Sequence, residues 1–135
     1  MAELTLAATL ENLETVIAFV DGELEKANCP IKTQMQIDVA VEELFVNIAS
    51  YAYPSGEGSA LIRLETDAEA GNVEITFEDS GIPYDPVAKA DPDVSLPAEK
   101  RQIGGLGIFM VKKTMDSMRY ERRDGRNILT ITKNM

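Results

Sequence analysis

The sequence predicts an α+β fold, a two-layer α/β sandwich in which a mixed, mostly antiparallel sheet is covered on one face by helices. Three observations predict it. A chain of 135 residues with 44% hydrophobic and 27% charged residues suits one compact domain, expected to span residues 1–135. The apolar spacing runs strand, helix, helix, two strands, a long irregular stretch, helix, two strands. The later strands come in pairs joined by short turns, as hairpins do, and three helices suffice to cover only one face.

Glu3 to Ala8 alternates polar and apolar through Leu4, Leu6 and Ala8, an edge strand with one buried face. Leu13, Val16, Ile17, Val20, Leu24 and Ala27 then recur at helical spacing, with Thr9 as the expected cap and Asn28-Cys29-Pro30 as the stop. Ile37, Val41, Leu44, Ile48 and Ala52 give a second amphipathic helix within 31–53, ending at Pro54-Ser55-Gly56. Ser59 to Thr66 and Asn72 to Glu78 read as antiparallel strands joined around Ala70-Gly71. Ser80 to Ile103 breaks the pattern with Pro83, Pro86, Pro92 and Pro97 among Asp85, Asp91 and Asp93. Irregular loops of that length are uncommon in compact domains and are often active-site lids. A helix resumes over Gly104 to Met115, and a hairpin about Asp124-Gly125 joins Met118–Glu121 to Asn127–Thr132.

Composition narrows the chemistry. The net charge of −10 argues against a nucleic-acid binder, which needs a basic face to displace counterions, so an anionic ligand must be met by a local pocket. With no histidine, imidazole-based triads, histidine-ligated zinc and a kinase that phosphorylates its own histidine are excluded. Cys29 is the only cysteine, so no internal disulfide forms, and its place before Pro30 reads as a small half-buried residue. No apolar run approaches the ~20 residues of a membrane span and the N-terminal residues do not resemble an export signal. A soluble, cytoplasmic protein is expected.

Glu43 and Asn47 lie four residues apart, so at about 100° per residue they share one helix face, on the flank of the apolar stripe where a pocket wall would stand. An amide oxygen beside a carboxylate suits Mg²⁺, a hard cation that keeps several waters. Asp79-Ser80-Gly81 closes a strand, where a carboxylate can accept from an exocyclic amine and a glycine lets a planar base approach the backbone. Gly104-Gly105-Leu106-Gly107 opens a helix, whose free N–H groups and positive dipole end favour a phosphate. Lys100 and Arg101 precede that helix and could reach a γ-phosphate or simply remain solvated. Singly, these features read as a surface pair, a turn and a flexible helix start. No Gly-x-x-x-x-Gly-Lys-Ser/Thr run exists, so the site is not a P-loop.

In order and spacing, Glu43-x-x-x-Asn47, Asp79-x-Gly81-x-Pro83-Tyr84-Asp85-Pro86 and Gly104-Gly105-Leu106-Gly107-Ile108 resemble the N, G1 and G2 boxes of the GHKL ATPase superfamily. The second motif and the two leading helices look like its anti-sigma factor serine kinases. The resemblance covers nearly the whole chain. It implies a Bergerat-type ATP-binding fold, Asn47 as Mg²⁺ ligand, Glu43 as general base, Asp79 on the adenine amino group, Gly81 beside the base, Gly105 and Gly107 by the phosphates, and an ATP lid over about 84–103. Tyr84 stands where phenylalanine is frequent, and Gly104 adds a glycine before Gly105.

The expected activity is therefore transfer of the ATP γ-phosphate to a serine of an anti-sigma factor antagonist, releasing the kinase to hold a sigma factor. The alternative is a module that binds ATP and sequesters its partner without transfer. Gyrase, mismatch-repair and chaperone ATPases of the superfamily require further domains. A homodimer built partly by the first strand is also expected, because its short alternating run offers an unpaired edge.

Overall fold

The computed structural model describes residues 1–54, 56–87 and 105–135, with side chains from residue 107 onward in the last stretch. Within these, β1 (Ala2–Ala7), α1 (Leu13–Lys26), α2 (Ile31–Asn47), β2 (Ser59–Asp67), β3 (Asn72–Asp79), α3 (Gly105–Thr114), β4 (Ser117–Arg123) and β5 (Arg126–Asn134) follow in chain order. The strands form one sheet in the order β1-β2-β3-β5-β4, and every pairing is antiparallel. The parallel component expected from the sequence is therefore absent among the described strands. The reason lies in the crossover: β3 and β4, which flank α3, do point the same way, but β5 slots between them and pairs antiparallel with both.

Register puts whole rows of side chains on the helix-covered face. Leu4, Ile62, Phe77, Leu129 and Tyr120 line up across the five strands, and Leu6, Ala60, Asp79, Asn127 and Arg122 form the next row. Successive residues of a strand point to opposite faces, so Glu74, Thr76 and Glu78 turn outward, where Thr76 and Thr130 hydroxyls meet at 3.2 Å. Phe45, Leu24, Ile37, Val41, Val16 and Val20 from the helices pack over Ile62, Ile75, Phe77 and Ile131. Each fully buried side chain of this size contributes about 1.5–3 kcal/mol, so the fold is held from this layer.

Element ends differ from the sequence reading where side-chain chemistry competes. Thr9 makes no side-chain cap bond, because a short 3₁₀ turn, Leu10–Asn12, precedes α1. Asn12 occupies the cap position, yet its side-chain amide turns back to the Ala7 carbonyl at 2.8 Å and ties helix to strand. α1 ends where Asn28 adopts φ 58°, a left-handed conformation asparagine tolerates. Asp124 and Gly125 have φ 52° and 77°, the paired positive values that match a two-residue hairpin to the strand twist. No helix among the described residues is long and apolar enough to cross a membrane.

Candidate nucleotide site

The second amphipathic run does not stay α-helical to its end. α2 stops at Asn47 and continues as a π-helical turn, Ile48–Ala52. Such turns widen the helix by a residue and recur at functional sites. Here the turn presents Tyr51 outward while the Ala52 carbonyl accepts the Ile82 N–H at 2.9 Å, so the end of the helix is clamped to the turn that follows β3. Tyr53 adds a second clamp, accepting from the Ser80 N–H at 2.8 Å and donating to the Ser59 carbonyl at 2.6 Å.

A pocket opens between this helix end, the start of α3 and the inner face of β3, β5 and β4. Leu44, Ile48, Phe77, Ile108 and Leu129 give it apolar walls, Ile82, Tyr84 and Pro86 border it, and Asn47, Asp79, Asn127 and Tyr120 bring the polar atoms. Flat apolar walls with a few convergent polar groups suit a planar, partly polar ligand.

Asp79 is only 7% exposed at the end of β3, and its Oδ1 accepts from the Gly81 N–H and from the Asn127 amide, both at 2.9 Å. Among the described residues Oδ2 accepts no hydrogen bond, which leaves it for a donor on a ligand. Asn47 stands half-buried on the same pocket, and its Nδ2 is buried with no partner among the described residues. An orphaned buried amide costs about 1–3 kcal/mol, so it fits a site completed by something polar from outside. Among the described residues no cluster of three or more Cys, Asp or Glu side chains could cage a metal. The orphaned atom is a donor and suits an oxygen of the ligand, while the oxygen of the same amide is the atom a hard cation such as Mg²⁺ would take beside ligand oxygens and waters, so the residues present fit ATP with Mg²⁺.

Glu43 sits one turn before Asn47, half-buried, with its carboxyl group lying against Gly107 in the first turn of α3. A Cβ on Gly107 would collide with Glu43 Oε2, so the glycine keeps that carboxyl group at the helix start. The positive end of α3 is where a negative group is favoured. Gly81 is buried and its missing side chain matters for packing, because a Cβ there would overlap the Ala52 carbonyl. The structure thus joins Asn47 and Asp79 in one pocket, sets Glu43 with Gly107 beside it, and places Gly81 behind Asp79. Gly105 begins α3. Lys100, Arg101, Gly104 and residues 88–104 of the expected lid lie outside the described residues.

Asn127 and Tyr120 were missed by the sequence reading. Asn127, 5% exposed, is the cross-strand partner of Asp79 in the β3–β5 register. One signal existed: Asn127 shares the parity of Leu129 and Ile131, so it had to be a polar side chain on the core-facing side of its strand. Arg122, in the same row, donates to the Gly81 carbonyl at 2.8 Å and braces the turn from the other side.

A family model described as histidine kinase-like ATPase domain matches residues 6–133. The chain is 30% identical over 101 residues to the serine/threonine-protein kinase BtrW of Bordetella bronchiseptica, covering 75% of this chain and 70% of the relative. It is 27% identical over 135 residues to the serine-protein kinase RsbW of Halalkalibacterium halodurans, covering 97% and 81% respectively. Among solved structures, the RsbU and RsbW domains of a Mycobacterium tuberculosis protein superpose with a TM-score of 0.64 at 18% identity, over 99% of this chain and 32% of that one. The histidine kinase domain of a blue-light activated kinase from Erythrobacter litoralis superposes with a TM-score of 0.50 at 14% identity, over 87% of this chain and 60% of that one. Both share the fold.

Proposed function

The chain belongs to the histidine kinase-like ATPase domain family, and from that premise we propose that it is an ATP-dependent serine/threonine protein kinase acting on a serine of an anti-sigma factor antagonist. One observation carries the reading: an apolar-walled pocket is lined by both Asp79 and Asn47, and Glu43, one turn before Asn47, lies against Gly107 at the start of α3. Relatives named serine kinases in two genera support it.

The chain's residues divide the work. Asp79 Oδ2 accepts the exocyclic amino hydrogen of adenine, and Leu44, Ile48, Phe77 and Leu129 enclose the ring. Asn47 presents its amide to Mg²⁺ and the triphosphate, Gly105 and Gly107 stand by the phosphates at the start of α3, and Gly107 leaves room there for the Glu43 carboxyl group. Bound Mg²⁺ supplies charge neutralisation across the phosphate oxygens. Glu43 takes the proton from the attacking serine hydroxyl and so raises its nucleophilicity. Lys100 and Arg101 serve the γ-phosphate, and the 84–103 segment closes over it. Release of the phosphorylated antagonist frees the kinase to hold a sigma factor. The protein works in the cytoplasm as a homodimer paired through β1.

Two variants test the assignment with labelled ATP and the antagonist. Glu43→Gln keeps Mg²⁺-ATP affinity within about twofold and loses about 10²–10⁴ in transfer rate, the usual range for a general base. Asn47→Ala loses metal-dependent binding as well as transfer. Wild-type transfer by Glu43→Gln overturns the base assignment; ATP and partner binding by the wild-type protein with no transfer favours the sequestering module.

A further inference from the structure

Asn127 has every hydrogen-bonding position of its amide filled. Nδ2 donates to Asp79 Oδ1 at 2.9 Å and to the Ile82 carbonyl at 2.8 Å, while Oδ1 accepts from the Tyr120 hydroxyl at 2.5 Å and from the Tyr84 N–H at 3.4 Å. An asparagine amide can be turned over with little change in shape, exchanging oxygen for nitrogen. Which end faces Asp79 is therefore decided by its neighbours, and a turned amide would set oxygen against oxygen. The shortest of the four bonds comes from Tyr120, a diagonal neighbour across the β4–β5 register, one row along the sheet.

We propose that Tyr120 is a positioning residue for base recognition: its hydroxyl fixes the Asn127 amide, Asn127 occupies Asp79 Oδ1, and Asp79 is left with Oδ2 alone aimed at the ligand. The relay makes Asp79 a one-oxygen acceptor in a fixed direction. With the Gly81 N–H alone on Oδ1, the carboxyl group is less firmly held, accepts a purine amino group in more than one pose and discriminates less sharply against a purine that carries an oxygen there. The proposal rests on the assignment of Asp79 to the adenine amino group, and it adds the residue that sharpens that assignment.

Tyr120→Phe keeps the ring that forms part of the pocket wall and removes only the hydroxyl. Wild-type protein and the variant are titrated with ATP and with inosine triphosphate, which has an oxygen in place of the amino group. The wild type prefers ATP; in Tyr120→Phe that preference narrows about five- to tenfold, the loss expected for one hydrogen bond, while inosine triphosphate binds within twofold of its wild-type affinity. An unchanged preference, or both affinities falling together as a merely structural role would cause, overturns the relay. A second readout needs no nucleotide. In ¹⁵N-labelled protein the Asn127 side-chain NH₂ protons are protected from exchange, and Tyr120→Phe speeds their exchange at least tenfold; equal exchange overturns the relay whatever Asp79 reads. No ATP preference in the wild type removes the adenine role of Asp79, and the exchange experiment then shows separately whether the amide was held. Should Tyr120→Phe fold poorly, Asn127→Ala deletes the donor outright and narrows the preference at least as much, and an unchanged preference there also overturns the proposal.

Discussion

Gly81 and Gly107 look alike in a motif and differ in what replaces their missing side chain. A Cβ on Gly81 meets a backbone carbonyl, that of Ala52, which cannot move without unclamping the π-helical turn from the turn after β3. A Cβ on Gly107 meets the tip of Glu43, which can swing away. Gly81→Ala is therefore expected to lower the melting temperature by several degrees, about 1–3 kcal/mol of overpacking. Gly107→Ala is expected to leave melting nearly unchanged and to lose at least tenfold in phosphoryl transfer at saturating ATP, because it displaces the general base. Thermal melts beside single-turnover transfer separate the two. If Gly107→Ala transfers phosphate at the wild-type rate, the position of Glu43 against α3 does not matter for catalysis.

Between elements, the seam of α1 and α2 holds a carboxyl pair that catalysis does not use. Asp38 lies within hydrogen-bonding reach of Asp21, and one oxygen of each is buried without a donor among the described residues. Burial first, then the bond and the negative charge of Asp21, push the Asp38 carboxyl up to about 7. Burial, with Asp38 nearby, also raises the Cys29 thiol. A carboxyl group whose folded value lies above its ordinary 3.8 contributes stability that is complete at low pH and is lost as pH rises from about 4 through about 7. Asp38→Asn is expected to flatten that slope and to be more stable than wild type at pH 8, measured by urea unfolding at several pH values. Equal slopes would mean the pair is already relaxed by solvent. This seam also marks how far the sequence could be read. Helical spacing located α1 and α2, strand alternation and Asp124-Gly125 located β4 and β5, and motif spacing located Asn47, Asp79 and Glu43, because each is a pattern within one short stretch. Asp21 with Asp38, Asn127 with Asp79, and Gly81 with Ala52 are meetings between elements, so no local period carries them. The π-helical turn is set by its clamp to Ile82, again a partner from another element.

On the scale of the whole molecule, the two outer strands are unequal. β4 carries Arg119, Glu121, Arg122 and Arg123, whereas β1 has a single charge, Glu3. Charged edges resist pairing with another chain, which leaves β1 as the edge fit for a dimer contact. Thr5→Lys together with Ala7→Lys is expected to shift sedimentation toward monomer at tens of micromolar, while Ser117→Lys on β4 leaves it unchanged; a monomeric wild type would remove the dimer altogether. The strand order carries a consequence of its own. β5 lies between β3 and β4, and it is made after every other described element. On the ribosome, the nascent chain can pair β1, β2 and β3 early but holds an interrupted sheet until residues 126–134 have cleared the exit tunnel. Asn127 arrives with that strand, so Asp79 gains its cross-strand partner only after every other described element has been made.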